Sequence, residues 1–392
     1  MKAVTWQGKR DVRVEDVPDP QIREDTDAII EITTTGLCGS DLHLYEVLGP
    51  FMTPGDILGH EPMGRVVEVG SAVTNLQVGD RVAVPFQIAC GSCWMCTRDL
   101  QTQCETTQVR EHGMGAALFG YSSLYGAVPG GQAELLRVPH ADYGPIVVES
   151  DLPDDHFVYL SDVLPTAFQA LEYAAVGEGD TLLVVGLGPI GDMAARLALR
   201  RGVRVIGADL VPERLTRTAE RGAETYDVTG VDVAEVVRET TGGRGADGVI
   251  DAVGMEAHGS PVSQIGQAAV GLLPDFLARK AMTTVSVDRL AALHLAIDAV
   301  RRGGVISLSG VYAGTVDPIP LQTLFDKQVQ LHMGQANVRR WVSQVKPLAE
   351  DPADPLGLAD FATHRLPLSA APEAYRDFQA KTDGVVKVLF QP

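Results

Sequence analysis

TLLVVGLGPIGDMAARLALRRGVRVIGAD, residues 181–209, decides the fold. TLLVV is an apolar run of strand length, suited to a strand buried on both faces. MAARLALRRG, which follows, has the periodicity and composition of a helix, and VRVIGAD is a second strand ending at Asp209. Between the first strand and the helix stand Gly186, Gly188, Pro189, Ile190 and Gly191, a G-x-G-x-x-G turn. Glycines so placed allow a tight turn, close approach of a pyrophosphate to the backbone and close packing of helix on strand. The helix N-terminus meanwhile faces the phosphate charge. A carboxylate about 20 residues beyond the turn accepts hydrogen bonds from an adenosine ribose and repels a 2′-phosphate, which favours NAD over NADP. A lone glycine turn would be weak evidence; strand, helix and acid together carry the reading. Arg214, just beyond Asp209, joins these residues as a cofactor-binding candidate, against the plainer reading of a solvated surface arginine.

Working outward, VPERLTRTAERG reads as a helix, GADGVIDAVG as a strand, DRLAALHLAIDAVRRGG as a long helix ending in glycines, and GVISLSGV as the strand after it. Repeated strand-helix-strand units imply a parallel, doubly wound sheet of the Rossmann kind. The first 150 or so residues differ. Short runs such as AIIEIT, GRVVEVG and DRVAVPF, separated by turn formers, indicate a mostly-β region, with MKAVTWQGKRDVRVED as its first strand. Beyond Ala313 the chain returns to mixed, Pro-containing segments and closes on GVVKVLF, a final strand. The expected architecture is therefore α/β, a dinucleotide domain over residues 165–313 inserted into a mostly-β domain formed by 1–164 and 314–392.

A chain of 392 residues suits two domains. Its 45% hydrophobic and 21% charged content belongs to an ordinary globular protein. A formal charge of −19 and a pI near 4.8 repel phosphate backbones and anionic lipid, so neither nucleic acid nor a membrane surface is an expected partner. The N-terminus lacks the apolar core and cleavage site of a secretory signal, and the longest uncharged stretch, His112 to Ala133, is broken by Gly, Ser, Tyr and Pro. A cytoplasmic protein without a membrane span is the expectation.

Four of the five cysteines, Cys90, Cys93, Cys96 and Cys104, form C-x2-C-x2-C-x7-C. Four thiolates so close together can complete a tetrahedral shell, the mark of a structural zinc with no open position. Disulfides or an iron–sulfur cluster are the competing readings, which the tight clustering and a reducing compartment disfavour. The fifth, Cys38 in GLCGSDLH, precedes His60-Glu61 in GHEPMG by about 20 residues. A catalytic zinc takes three protein ligands and one open position, so a third donor is needed, and with the other cysteines committed it must be a carboxylate.

With both constellations and the glycine turn in hand, the whole chain resembles the zinc-containing medium-chain alcohol dehydrogenases, which pair a GroES-like catalytic domain with a Rossmann domain. The resemblance implies Cys38 and His60 as catalytic-zinc ligands and Glu61 as an acidic neighbour able to exchange onto the metal. Where the third ligand is commonly cysteine, this sequence has SDVLPT and places Asp162 there. That is similar to the branch containing the glutathione-independent formaldehyde dehydrogenases and formaldehyde dismutase. The resemblance further implies Ser40 as the hydroxyl beside the substrate oxygen, His43 as the outer end of a proton relay, and Asp41 as the carboxylate orienting His60. It also implies Thr166 against the nicotinamide, Phe86 in the pocket wall and Lys387 on the pyrophosphate. The long insertion that buries a permanently held cofactor in some formaldehyde dehydrogenases is not evident between Cys104 and Gly131, so exchangeable NAD is expected.

The implied activity is NAD-linked oxidation of a small alcohol or aldehyde hydrate, with formaldehyde a candidate, two zinc ions per chain, and a homo-oligomer, a tetramer ahead of a dimer. Polyols, secondary alcohols or a glutathione adduct of formaldehyde are alternative substrates, and a non-catalytic zinc- and NAD-binding scaffold ranks last.

Overall fold

The computed structural model describes residues 1–254, 290–312, 319–382 and 384–392. It divides into one unit of Met1–Thr166 with Ala336–Pro392, and a second of Ala167–Gln335.

The second unit is built on six strands: β8 (Thr181–Val185), β9 (Arg204–Asp209), β10 (Glu224–Asp227), β11 (Ala246–Asp251), β12 (Val300–Leu308) and β13 (Gln330–Met333). Their order is β10-β9-β8-β11-β12-β13, and every pairing is parallel. The two halves run outward from β8 and β11, so the order reverses beside the glycine turn, where doubly wound sheets bind ligands. β8 is buried along its whole length, which is why its sequence is an unbroken apolar run. Leu183, Ile206, Val249 and Ile306 pack there with Leu293, Ala296 and Ile297 of the helix Ala291–Ala299.

Two expectations shift. The helix read through VRRGG stops at Ala299, because Val300 pairs with Ala246 and begins β12. The start of that helix at Asp288 lies outside the described residues. The unit runs on to Gln335 instead of 313, because β13 adds to the edge of β12, with Val305 opposite Gln330 and Leu308 opposite Met333.

In the first unit the N-terminal segment is two strands and not one. β1 (Lys2–Gly8) and β2 (Asp11–Asp16) pair antiparallel about a turn in which Arg10 takes φ +60°. The main sheet comprises β3 (Ala28–Leu37), β4 (Glu61–Val69), β5 (Arg81–Ala83), β6 (Leu135–Val138), β7 (Ile146–Val147), β14 (His364–Pro367) and β15 (Val388–Gln391). Its order is β14-β15-β3-β4-β5-β7, with β6 also on β3. Register decides where chemistry can gather. β3 pairs antiparallel with both neighbours, setting Gly36 opposite Glu61 and Leu37 opposite Val388. The end of β3, the start of β4 and the start of β15 therefore meet at one end of the sheet, bringing Cys38, His60, Glu61 and Lys387 together from distant sequence. Gly36 is required there, since a Cβ would stand 2.0 Å from Glu61 Oε2. No helix among the described residues is long and apolar enough to cross a membrane.

Candidate metal centres and dinucleotide cradle

Cys38, His60, Glu61 and Asp162 each offer one donor atom, and the four atoms lie within 4.8 Å of one another. Cys38 Sγ is 3.6 Å from Asp162 Oδ2, and His60 Nε2 is 3.5 Å from the same oxygen. A tetrahedral zinc with bonds of about 2.0 Å to N and O and about 2.3 Å to S sets such donors about 3.3–3.5 Å apart. The spacing is that of a metal shell. Glu61 Oε1 is buried without a hydrogen-bond partner, and a cation would satisfy it. The residues present thus fit the zinc that their chemistry implies.

The surroundings hold each donor in place. His60 Nδ1 stands 3.0 Å from Asp41 Oδ1, fixing the imidazole so that Nε2 faces Cys38 and Asp162. Asp41 Oδ2 accepts from the Cys38 amide at 3.0 Å and from Gln132 Nε2 at 3.4 Å, and Gln132 in turn accepts from the Tyr375 hydroxyl at 2.8 Å. Thr166 donates its hydroxyl to Asp162 Oδ1 at 2.6 Å. The resemblance put Thr166 against the nicotinamide; the structure puts its hydroxyl on the carboxylate. Ser40 Oγ lies 3.3 Å from His60 Nε2, and His43 is buried in the short helix that follows Ser40, Asp41–Glu46.

Lys387 requires correction. Instead of reaching for a pyrophosphate, its ammonium is fully buried, donates to Leu37 O at 3.0 Å and forms a short ion pair with Glu61. The register of β15 on β3 fixes this, because Lys387 immediately precedes the Val388–Leu37 pair.

Electrostatics follow from burying so many groups together. Burial, with Asp162 and Glu61 nearby, pushes the Cys38 thiol up to about 11. Burial works against a charged His60, but Asp41 and the bond to Asp162 outweigh it and hold the imidazole well above its ordinary value. Burial also raises Glu61 despite Lys387, while Asp162 stays below the ordinary carboxylate value because His60 and Thr166 outweigh its own burial. Two aromatic rings meet the imidazole nearly edge-on: Phe86 at 6.3 Å and Tyr121 at 6.5 Å between centroids. Phe86 fits the pocket-wall role. Tyr121 was not singled out from sequence, since nothing in FGYSSLYG distinguishes it from its neighbours.

Cys90, Cys93, Cys96 and Cys104 form a second four-donor cluster, with Cys93 Sγ 3.9 Å from Cys104 Sγ, close to the edge of a tetrathiolate shell. Here the sulfurs receive hydrogen bonds. Thr106 donates its hydroxyl to Cys90 at 3.1 Å, the Cys93 amide donates to Cys90, and the Glu105 amide to Cys93. For Cys90 these donors overcome burial and lower the thiol to about 5. Asn337 accepts from the Thr102 amide at 3.0 Å and hydroxyl at 3.1 Å, tying this lobe to the returning chain.

In the second unit, Gly186 takes φ +86°, and a Cβ on Gly191 would strike Gly186 O at 1.8 Å. Both glycines are demanded by the turn and by close helix packing. Gly188 caps the helix Pro189–Arg200, and a Cβ there would meet only Arg214 Nη1 at 3.6 Å. The backbone is thus open where a phosphate would approach. Asp209 Oδ2 accepts from the Leu187 amide at 2.6 Å, and Oδ1 from Leu210 and Val211. These bonds fix the carboxylate at the end of β9. Arg214 Nη1 lies 3.9 Å from Asp209, bordering the cradle.

The chain matches the family description "Alcohol dehydrogenase GroES-like domain" over residues 24–148 and "Zinc-binding dehydrogenase" over 189–267. It is 39% identical over 402 residues to an uncharacterised zinc-type alcohol dehydrogenase-like protein of Bacillus subtilis, covering all of both chains. It is 36% identical over 334 residues to the formaldehyde dismutase of Pseudomonas putida, covering 82% of this chain and 77% of that one. Among solved structures it is similar to an alcohol dehydrogenase from Thermus sp. ATN1, with a TM-score of 0.81 and 31% identity across 100% and 99% of the two chains. The chain belongs to the zinc-dependent medium-chain alcohol dehydrogenase family and is an oxidoreductase with a GroES-like domain and a Rossmann-type domain.

Proposed function

We propose that the protein oxidises a small primary alcohol or the hydrate of a small aldehyde, formaldehyde included, with exchangeable NAD as acceptor and two zinc ions per chain. The observation that carries this reading is the meeting of Cys38, His60 and Asp162 at shell spacing, with Ser40 against the same imidazole nitrogen. When bound, zinc supplies Lewis-acid polarisation of the substrate oxygen and NAD supplies a hydride acceptor.

The chain's own residues do the remaining work. Ser40 takes the proton leaving the substrate hydroxyl, and His43, one turn further on, passes it toward solvent. Asp41 keeps His60 in the tautomer that leaves Nε2 free as a donor, and Thr166 orients Asp162. Glu61 stands by as a fourth donor, its charge balanced by Lys387. Gly186, Gly188, Pro189, Ile190 and Gly191 cradle the pyrophosphate, and Asp209 accepts from the adenosine ribose with Arg214 at its side. The four-cysteine lobe takes the structural zinc and no part in turnover. We read the protein as cytoplasmic, where its thiols stay reduced, and as a homo-oligomer.

Metal analysis beside a substrate panel with NAD and NADP tests the reading. Two zincs per chain and NAD-linked oxidation of small alcohols or aldehydes are expected, and an active protein free of metal would overturn it. An Asp209→Ala change is expected to erode the preference for NAD; an unaltered cofactor ratio would remove that role.

A further inference from the structure

Three glycines hold one aromatic residue against the mixed-donor centre. A Cβ on Gly120 would lie 2.4 Å from the backbone of Gly59, and one on Gly130 would lie 2.3 Å from Leu58 O. The backbone before Tyr121 is therefore pressed onto the backbone before His60, and the Tyr121 ring stands 81° to the imidazole at 6.5 Å. Tyr125 supports it from behind at 5.7 Å, and the side chain packs on the cluster that includes Leu42, Leu44 and Leu58. Tyr121 is thus a fixed wall of the centre, as Phe86 is, with one difference. It carries a hydroxyl.

That hydroxyl is not tied up by the protein. The phenols of Tyr143, Tyr312 and Tyr375 find Gln101 at 2.9 Å, Asp251 in a short bond, and Gln132 at 2.8 Å. Tyr121 makes no hydrogen bond among the described residues, and because the residue is only partly buried its hydroxyl stays accessible. An accessible phenol that the protein leaves unpaired can pair with a polar group that enters the centre.

We propose that Tyr121 is a specificity-determining residue, its hydroxyl pairing with the second hydroxyl that an aldehyde hydrate has and a simple alcohol lacks. This rests on the dehydrogenase reading above and deepens it by naming the substrate class. In the reaction, the hydrate's C–H bond breaks and its electron pair passes with the hydrogen to NAD. One hydroxyl loses its proton as its oxygen becomes the carbonyl of the acid. The other, held by Tyr121, stays on the carbon. Carbon is oxidised by two electrons, NAD is reduced, and one proton is released. An alcohol needs no such partner.

Tyr121→Phe keeps the ring and deletes the hydroxyl. With NAD, kcat/KM for formaldehyde, present in water as its hydrate, is expected to fall roughly five- to tenfold, the effect of one neutral hydrogen bond, while that for ethanol stays within about twofold. Zinc content should remain equal in the two proteins. Equal losses on both substrates, or none on formaldehyde, would overturn the role of Tyr121 and leave the dehydrogenase reading intact. A wild-type protein that holds two zincs and oxidises neither substrate would remove that reading and this inference together. Tyr121→Leu, which removes the ring as well, is expected to lower kcat/KM on both substrates; selectivity equal to that of wild type in this variant would also count against the proposal.

Discussion

Two cysteine-bearing clusters within one unit are built on opposite plans. The four-cysteine lobe draws all its donors from a single stretch of 15 residues, Cys90 to Cys104, and gives Cys90 and Cys93 amide and hydroxyl donors that lower Cys90 to about 5, while burial and the neighbouring thiols raise Cys96. The Cys38–His60–Asp162 centre draws donors from three separate segments, and burial, with carboxylates beside the sulfur, pushes Cys38 up to about 11. The first is organised by local backbone and grips through a uniform shell. The second depends on tertiary register and leaves a carboxylate, Glu61, beside the shell with one oxygen unpartnered. The two sites thus differ in which groups donate hydrogen bonds to the sulfur and in how far the ligands travel to meet.

Four experiments would break or sharpen this contrast. Removing a ligand of the exchanging centre has the largest effect on chemistry. Asp162→Ala should lower kcat/KM by more than about a hundredfold, since outer-sphere partners alone cost ten- to a hundredfold, and metal analysis should show one zinc per chain in place of two. Cys104→Ala should act on stability instead. The lobe metal is lost and the unfolding midpoint drops by on the order of 10 °C, while the other site keeps its zinc. Equivalent phenotypes for these two variants would erase the distinction.

Lys387→Met comes next, because it strands a fully buried Glu61 carboxylate. Denaturant titration should register a loss of about 3–5 kcal/mol, most of it recovered when Glu61→Gln is added. A double variant no more stable than the single one would contradict the pairing.

The smallest effect is a difference in acid sensitivity. Binding at the mixed centre must displace protons from Cys38 and His60, both raised, whereas at the lobe Cys90 and Cys93 are lowered and only Cys96 is raised, by its burial and the neighbouring thiols. With two ligands that ionise readily at the lobe and neither Cys38 nor His60 doing so, a chelator should empty the mixed centre first on going from pH 7 to pH 5. Release in the reverse order would show that the sulfur environments do not govern retention.

Much of this was legible in residue order. The turn at Gly186–Gly191 and the closing Asp209 are local in sequence, and β8, β9, β11 and the helix Pro189–Arg200 stand where period and composition put them. The cysteine lobe was equally plain, as its spacing is its geometry. Residues whose partners are remote were harder. Lys387 reads as a solvated strand end or an anion contact until β15 is laid against β3, and only that pairing turns its ammonium to Glu61. Thr166 lies four residues from Asp162 in what proves to be helical backbone, so its hydroxyl reaches the carboxylate; VLPT alone does not announce this. Tyr121 depends on close approaches at Gly59, Gly120 and Gly130, and β13 on an edge pairing that its mixed sequence does not advertise. Period and spacing report on neighbours in the chain; long-range register is fixed by the sum of the packing.

The pairing of Lys387 with Glu61 spans 326 positions. Because synthesis runs from the N-terminus, Cys38, His60, Glu61 and Asp162 emerge from the ribosome long before the cation that balances them. Until Lys387 is added, the Glu61 carboxylate lacks the cation it pairs with, which opposes its burial. The final strand therefore acts as a late electrical latch, and a transcript that stops short of codon 387 would yield a chain with its ligands in hand and its pocket unbalanced.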